Sequence, residues 1–211
     1  MKRKSLFITL EGLEGCGKSS VITHLAGYLR KKKLAVGVFR EPGSTKTGEK
    51  IRQILLGKKN NVSPHTELLL YLAARTQLIE EQLQDAFMRY DIVLCDRFFD
   101  STIAYQGYGL GLGKTVEAAV KKFSLGITPD LTVFLETDVK ISLGRIKNKD
   151  RIESRSFEFH SRLKRGFKEI ARKNPRRVRV IKADKSLEAV YRDLEEMIDQ
   201  WLQKKGVTPK S

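Results

Sequence analysis

The sequence predicts an α/β fold: a five-stranded parallel sheet with helices on both faces and a short lid. Two observations predict it. Short apolar runs rich in β-formers recur along the chain and alternate with helical patterns. A glycine-rich turn also joins the first such run to the first helix. At 211 residues the chain suits one domain, 1–211, whose core needs no disulfide or metal staple.

The elements follow in order. Ser5–Leu10 reads as a buried strand, and Lys18 to about Lys32 as a helix with Val21, Leu25 and Leu29 at helical spacing. Leu34–Phe39 is a second strand. Glu67 to about Arg89 is a long helix with Pro64 near its start. Asp91–Cys95, Leu131–Leu135 and Val178–Ile181 are the third, fourth and fifth strands. Ser186–Leu202 is amphipathic, with Leu187, Val190, Leu194, Met197 and Trp201 on one face. The polar stretch Lys147–Ser156 lies between two helical patterns and is the candidate lid. Gly206–Ser211 reads as a frayed tail.

Composition narrows the classes of function. The formal net charge of +16 calls for anionic partners. Twelve Lys or Arg against three acids fall between Arg151 and Lys182, and most of these read as a solvated helix face. Two cysteines, Cys16 and Cys95, exclude a disulfide framework and point to a reduced, cytoplasmic setting. The basic start Met1–Lys4 precedes an apolar run too short for a secretory signal, and Glu11 interrupts it. No stretch approaches a membrane span. His24 and His65 are isolated. His160 shares an apolar helix side with Phe157, Leu163 and Phe167, which reads as packing.

Gly12-Leu13-Glu14-Gly15-Cys16-Gly17-Lys18-Ser19 fits the phosphate-loop pattern G-x-x-x-x-G-K-[ST], between a strand and a helix. The chemistry needs these residue types. Glycines let backbone N–H groups approach phosphate oxygens, and the helix N-terminus favours negative charge. Lys18 neutralises β/γ oxygens, and the Ser19 hydroxyl suits Mg²⁺. Ser20 completes the candidate ATP-binding run from Gly12, with Cys16 as a small loop residue. The pattern alone says nucleoside triphosphate and no more.

Further stretches narrow the substrate. Arg40-Glu41-Pro42-Gly43 follows the second strand, and Tyr71-Leu72-Ala73-Ala74-Arg75 lies on the long helix. Asp96-Arg97-Phe98 follows the third strand, and Ser101-Thr102-Ile103-Ala104-Tyr105-Gln106-Gly107 comes soon after. Asp150-Arg151-Ile152-Glu153 lies in the candidate lid. In a parallel sheet, ligands bind beyond the C-terminal strand ends. Arg40 and Arg97 sit there and can fork onto an acceptor phosphate. Asp96 ends the apolar run Ile92–Cys95 and can hold Mg²⁺ through water.

From about Ser5 to Leu202 these motifs, in this order, resemble thymidylate kinase. The most specific are the Glu14-bearing phosphate loop, Arg-Glu-Pro-Gly, Asp-Arg-Phe and Ala-Tyr-Gln-Gly. The resemblance implies a P-loop fold that moves the γ-phosphoryl group of ATP to dTMP. It implies that Arg40, Pro42 and Arg97 meet the dTMP phosphate and that Glu41 lies near the metal. Glu14 faces the sugar, Tyr71 stacks on thymine, Arg75 reads the base edge, Ser101 or Thr102, with Gln106, helps select it, and Tyr105 packs near the sugar. The phosphate loop lacks arginine while Arg151 lies in the lid, which resembles the bacterial branch with a catalytic lid arginine beside Lys18 and Arg97. A homodimer is also implied, with no membrane or specific nucleic-acid partner.

Two rival readings remain at this level. A deoxynucleoside kinase would use the same phosphate loop on a neutral hydroxyl, but a monophosphate gives Arg40 a purpose. A nucleic-acid-stimulated ATPase would suit the +16, but the chain carries no added nucleic-acid module.

Overall fold

The structure, a computed structural model, describes residues 5–207. The basic start Met1–Lys4 and the outer part of the expected tail, 208–211, lie outside them. Five strands form one parallel sheet: β1 (Leu6–Gly12), β2 (Val36–Arg40), β3 (Ile92–Asp96), β4 (Leu131–Glu136) and β5 (Val178–Lys182). Their order is β2-β3-β1-β4-β5. The register pairs Leu10 and Arg40 with Asp96, and Gly12 with Leu135. The chemistry-bearing residues at the ends of β1, β2 and β3 therefore share one edge.

Strand side chains alternate between faces, so each strand feeds two cores. Ile8, Leu10 and Leu94 join Val21, Leu25 and Leu29 of α1 (Lys18–Lys31) and Val190 and Leu194 of α9 (Leu187–Lys204). Phe7, Val93 and Cys95 face the other way, toward Leu78 and Phe98. On α9 the buried stripe includes Ile198; Leu187 is exposed and Met197 only half-buried, a shift of one residue from the expected face.

The long helix is interrupted. It begins at Pro64 as α3 (Pro64–Leu78), passes through a π-helical segment, Ile79–Leu83, and ends as α4 (Gln84–Arg89). Ser63 caps its start, accepting from the Thr66 N–H. The remaining helices are α2 (Lys46–Leu56), α5 (Phe99–Thr102), α6 (Lys114–Phe123), α7 (Val139–Gly144) and α8 (Phe157–Lys173). A second π segment, Ile103–Gly109, continues α5.

Residues 147–156 connect α7 to α8 by turns. They are docked: Ile152 is buried in a cluster with Leu13, Tyr105 and Phe159, and the Arg151 N–H donates to the Leu56 carbonyl at 3.2 Å. Much of the basic stretch is consumed by partners as well. Arg177 forks onto Asp100, Lys168 pairs with Glu136, and both Arg162 donors reach the Gly109 carbonyl. His160 is buried, as its apolar side suggested. Among the described residues no helix is long and apolar enough to cross a membrane.

Candidate active site

A cleft of about 400 Å³ opens at the C-terminal edge of the sheet. One wall is the phosphate loop and the start of α1. Gly17, at φ 94°, precedes α1 and offers no side-chain cap, whereas Thr45, Ser63, Ser156 and Ser186 cap α2, α3, α8 and α9. The first N–H groups of α1 therefore remain free for an anion. A side chain on Gly15 would strike the Ser142 carbonyl, its Cβ lying 2.2 Å away. Lys18 is buried, its Nζ donating to the carbonyls of Gly12 and Leu13 at 3.2 and 2.9 Å.

Beyond Lys18, the cleft lining carries three more cations, Arg97, Arg52 and Arg145. Arg97 stands at φ 67°, an unfavourable region for a side-chain-bearing residue. Its Nη1 donates to the Gly12 carbonyl and to Ser101 Oγ, at 2.9 and 3.1 Å, and its Nη2 to Glu14 at 3.2 Å. Burial opposes its charge, yet Tyr105, Glu14 and Asp96 together push its pKa up. For Glu14 burial likewise opposes charge, but Arg97 and Lys18 prevail and hold it below the usual carboxylate range. Tyr105 donates its hydroxyl hydrogen bond to Glu14 Oε1; Oε2 has no hydrogen-bond partner and stands 3.9 Å from His160 Nδ1. Arg52 donates to the Pro42 carbonyl at 3.1 Å, and burial lowers its pKa.

The floor is formed by Tyr71, Thr102 and Gln106. Burial, followed by the nearby Glu67 charge, pushes the Tyr71 phenol upward. Ser19, Ser20 and Asp96 line the same space, and Asp96 Oδ1 is buried without a partner. Among the described residues no group of three or more His, Cys, Asp or Glu side chains could hold a metal. Several cations and the uncapped start of α1 lining one cleft can hold two phosphate-bearing molecules together.

A family model described as thymidylate kinase matches residues 10–194. The chain belongs to the thymidylate kinase family. It is 39% identical over 202 residues to the thymidylate kinase of Thermoanaerobacter sp. (strain X514), covering 94% of this chain and 100% of that one. It is 42% identical over 214 residues to that of Protochlamydia amoebophila (strain UWE25), covering 95% of each. A crystal structure of thymidylate kinase from Ehrlichia chaffeensis superposes with a TM-score of 0.77, at 32% identity, over 92% of this chain and 98% of that chain.

For a thymidylate kinase, the cleft gathers most of the residues singled out in the sequence. Glu14, Gly15, Gly17, Lys18, Ser19 and Ser20 line it from one side. Pro42, Tyr71, Asp96, Arg97, Ser101, Thr102, Tyr105 and Gln106 line the rest. Gly12, Leu13 and Cys16 do not line the cleft: Cys16 packs in the core beside α1, Leu13 in the cluster with Ile152 and Tyr105, and a side chain on Gly12 would meet Cys16 and Leu135.

Four residues stand elsewhere than the sequence suggested. Arg40 is turned outward onto Glu49 at 2.7 Å and does not line the cleft; Arg52, on the unanticipated helix α2, lines it instead. Glu41 lines the cleft, but both its oxygens accept from Arg75, leaving a metal poorly served. Arg75 is fully buried behind the lining, donating also to Thr102 at 2.7 Å; only its Nη1 lacks a partner. Arg151 is drawn to Glu67 at 2.6 Å and to the Leu55 carbonyl at 2.7 Å, away from the lining, while Arg145 lines the cleft and reaches the Gly15 carbonyl at 3.4 Å. Glu67 itself, a buried acid bonded to Gln106, Arg151 and Arg155, carried no sequence signal beyond its place near a helix start.

Proposed function

We propose that this cleft transfers the γ-phosphoryl group of ATP to the 5′-phosphate of dTMP, yielding ADP and dTDP. The observation that supports the reading is the number of cations gathered in one cleft: Arg97 and Arg52 line it in addition to Lys18 and the uncapped start of α1. A kinase acting on a neutral hydroxyl would need only Lys18 and the start of α1. Arg52, rather than Arg40, now supports a charged acceptor.

In this reading the free N–H groups of α1 and Lys18 bind the donor phosphates. Arg97 and Arg52 hold the acceptor phosphate, whose oxygen is itself the nucleophile, so no side-chain nucleophile is required. Glu14 and Tyr105 form the sugar end. Tyr71 stacks on the base, and Gln106, with the free Nη1 of Arg75, meets its edge. The 147–156 segment acts as a lid, with Arg151 as the cation it can bring to the transferring group, while Arg145, just before it, already lines the cleft.

The donor set fits Mg²⁺. Asp96 Oδ1 is a buried oxygen without a partner, and Ser19 shares its cleft. These two residues would hold the ion, with phosphate oxygens and water completing its shell. Bound there, Mg²⁺ would neutralise charge on the donor phosphates. A cytoplasmic setting is supported by two free, buried cysteines. A homodimer is part of the proposal, supported by the exposed Leu69 and Ile54 on the packed helices α3 and α2.

The test is coupled ADP release across a panel of nucleoside monophosphates. dTMP should support release at least about tenfold better than AMP, GMP or CMP, since a wrong base leaves buried polar groups unpaired at roughly 1–3 kcal/mol each. Equal rates with AMP and dTMP would overturn the reading.

A further inference from the structure

Gln106 lies in the π segment Ile103–Gly109, fully buried and lining the cleft floor. Its amide nitrogen donates to Glu67 Oε1 at 2.9 Å. Its amide oxygen is buried and has no protein partner. A carboxylate has no proton to give, so only the amide's nitrogen end can face it. The oxygen end is therefore left for the cleft.

Glu67, fully buried on the first turn of α3, is held in that acceptor role from the other side. Its Oε2 accepts from Arg151 Nη2 and Arg155 Nη2, each at 2.6 Å, and its Oε1 accepts from Arg155 Nη1 at 3.2 Å. The 147–156 segment thus supplies two guanidinium donors to Glu67, and Glu67 supplies the constraint that fixes Gln106.

We infer that Glu67 is a positioning residue for base choice. It locks the Gln106 amide with its oxygen toward the cleft, so that the site accepts a hydrogen bond from a ring N–H and rejects a bare ring nitrogen. The imide edge of thymine or uracil carries that N–H; the corresponding nitrogen of cytosine is an acceptor and meets the amide oxygen with two lone pairs opposed. An unpinned amide could turn over and serve either base. This inference rests on the dTMP reading of the cleft.

The experiment compares kcat/KM for dTMP and dCMP in the wild type and in Glu67→Gln, with thermal melting as a folding control. Glutamine at 67 can present its own N–H₂, which frees Gln106 to turn. The dTMP-over-dCMP ratio should fall about tenfold or more, through a higher KM for dTMP and a lower one for dCMP. The exchanged pair Glu67→Gln with Gln106→Glu, which restores a donor facing an acceptor-only group, should recover the ratio. A merely structural role for Glu67 would lower both substrates alike, and a folded Glu67→Gln variant with a ratio within twofold of wild type overturns the inference. Should the variants not fold, the wild type decides: dUMP, which shares the imide edge, must be used better than dCMP, and the reverse order overturns it. Wild-type turnover of AMP equal to that of dTMP would instead break the dTMP reading itself, so the two failures are separable.

Discussion

Glu11 shows how one side chain can govern a functional turn without lining the cleft. It is fully buried at the end of β1, accepts from the Phe98 N–H at 2.8 Å and accepts a hydrogen bond from the Ser101 hydroxyl. Ser101 in turn accepts from Arg97, so Glu11 braces the turn in which Arg97 is held at positive φ. Burial first and the neighbouring Asp100 second push its pKa up to about 8, against the pull of Arg97. The folded value lies above the ordinary 4.5, so across that window the unfolded chain has released a proton that the folded chain retains. Stability must therefore fall as pH rises from 4.5 to about 8. Glu11→Gln cannot ionise and should escape the loss. Melting temperatures of both proteins across that window check this: the wild type should lose ground to the variant as pH rises, and a constant gap would contradict it. At this scale the sequence was uneven. The phosphate-loop residues were legible because their spacing carries the chemistry. Glu11, Arg52 and Glu67 were not, because a single charged residue gains its meaning from partners as far away as Ser101 or Arg155.

Between elements, the buried Arg75–Glu41 pair ties α3 to the loop after β2. Both residues are nearly inaccessible, and Thr102 adds a further acceptor for Arg75. Burial works against the Glu41 charge and raises its pKa, so the pair depends on Arg75 staying in place. Arg75→Ala leaves an uncompensated buried carboxylate, which typically costs about 3–5 kcal/mol. The variant should melt roughly 10 °C lower as well as binding dTMP less well. Unchanged melting with weakened dTMP binding would show that Arg75 serves the ligand alone. The elements themselves were largely legible. All five strands fall within a residue or two of their apolar runs; for the central three, β3, β1 and β4, this is because parallel strands there are buried on both faces. The π segments at Ile79–Leu83 and Ile103–Gly109 were not legible, since one extra residue per turn leaves no mark on a helical pattern. Helix α2 could have been found from Thr45 as cap and Ile51 and Leu55 at helical spacing, and Arg52 with it.

Over the whole molecule, the net charge of +16 was the least specific signal and the register of the sheet the most consequential fact. Pairing Leu10 and Arg40 with Asp96 brings three strand ends to one level, and the phosphate loop and the Arg97 turn meet there. Lys18 belongs to the first helix and Arg97 to a turn following the third strand, and Gly12 is touched by both through its carbonyl oxygen. In the proposed reaction the cleft they share holds a phosphoryl donor and a phosphate acceptor at once. The direct measurement is transfer of labelled γ-phosphate from ATP in the presence of dTMP, with products separated chromatographically, for the wild type and for Arg97→Ala. Charge-assisted hydrogen bonds are worth about 1.5–3 kcal/mol each, so losing Arg97 should lower kcat/KM for dTMP about a hundredfold. Label should appear in dTDP with the wild type and little of it with the variant. Label released only as inorganic phosphate, or an Arg97→Ala variant that transfers as well as the wild type, would contradict it.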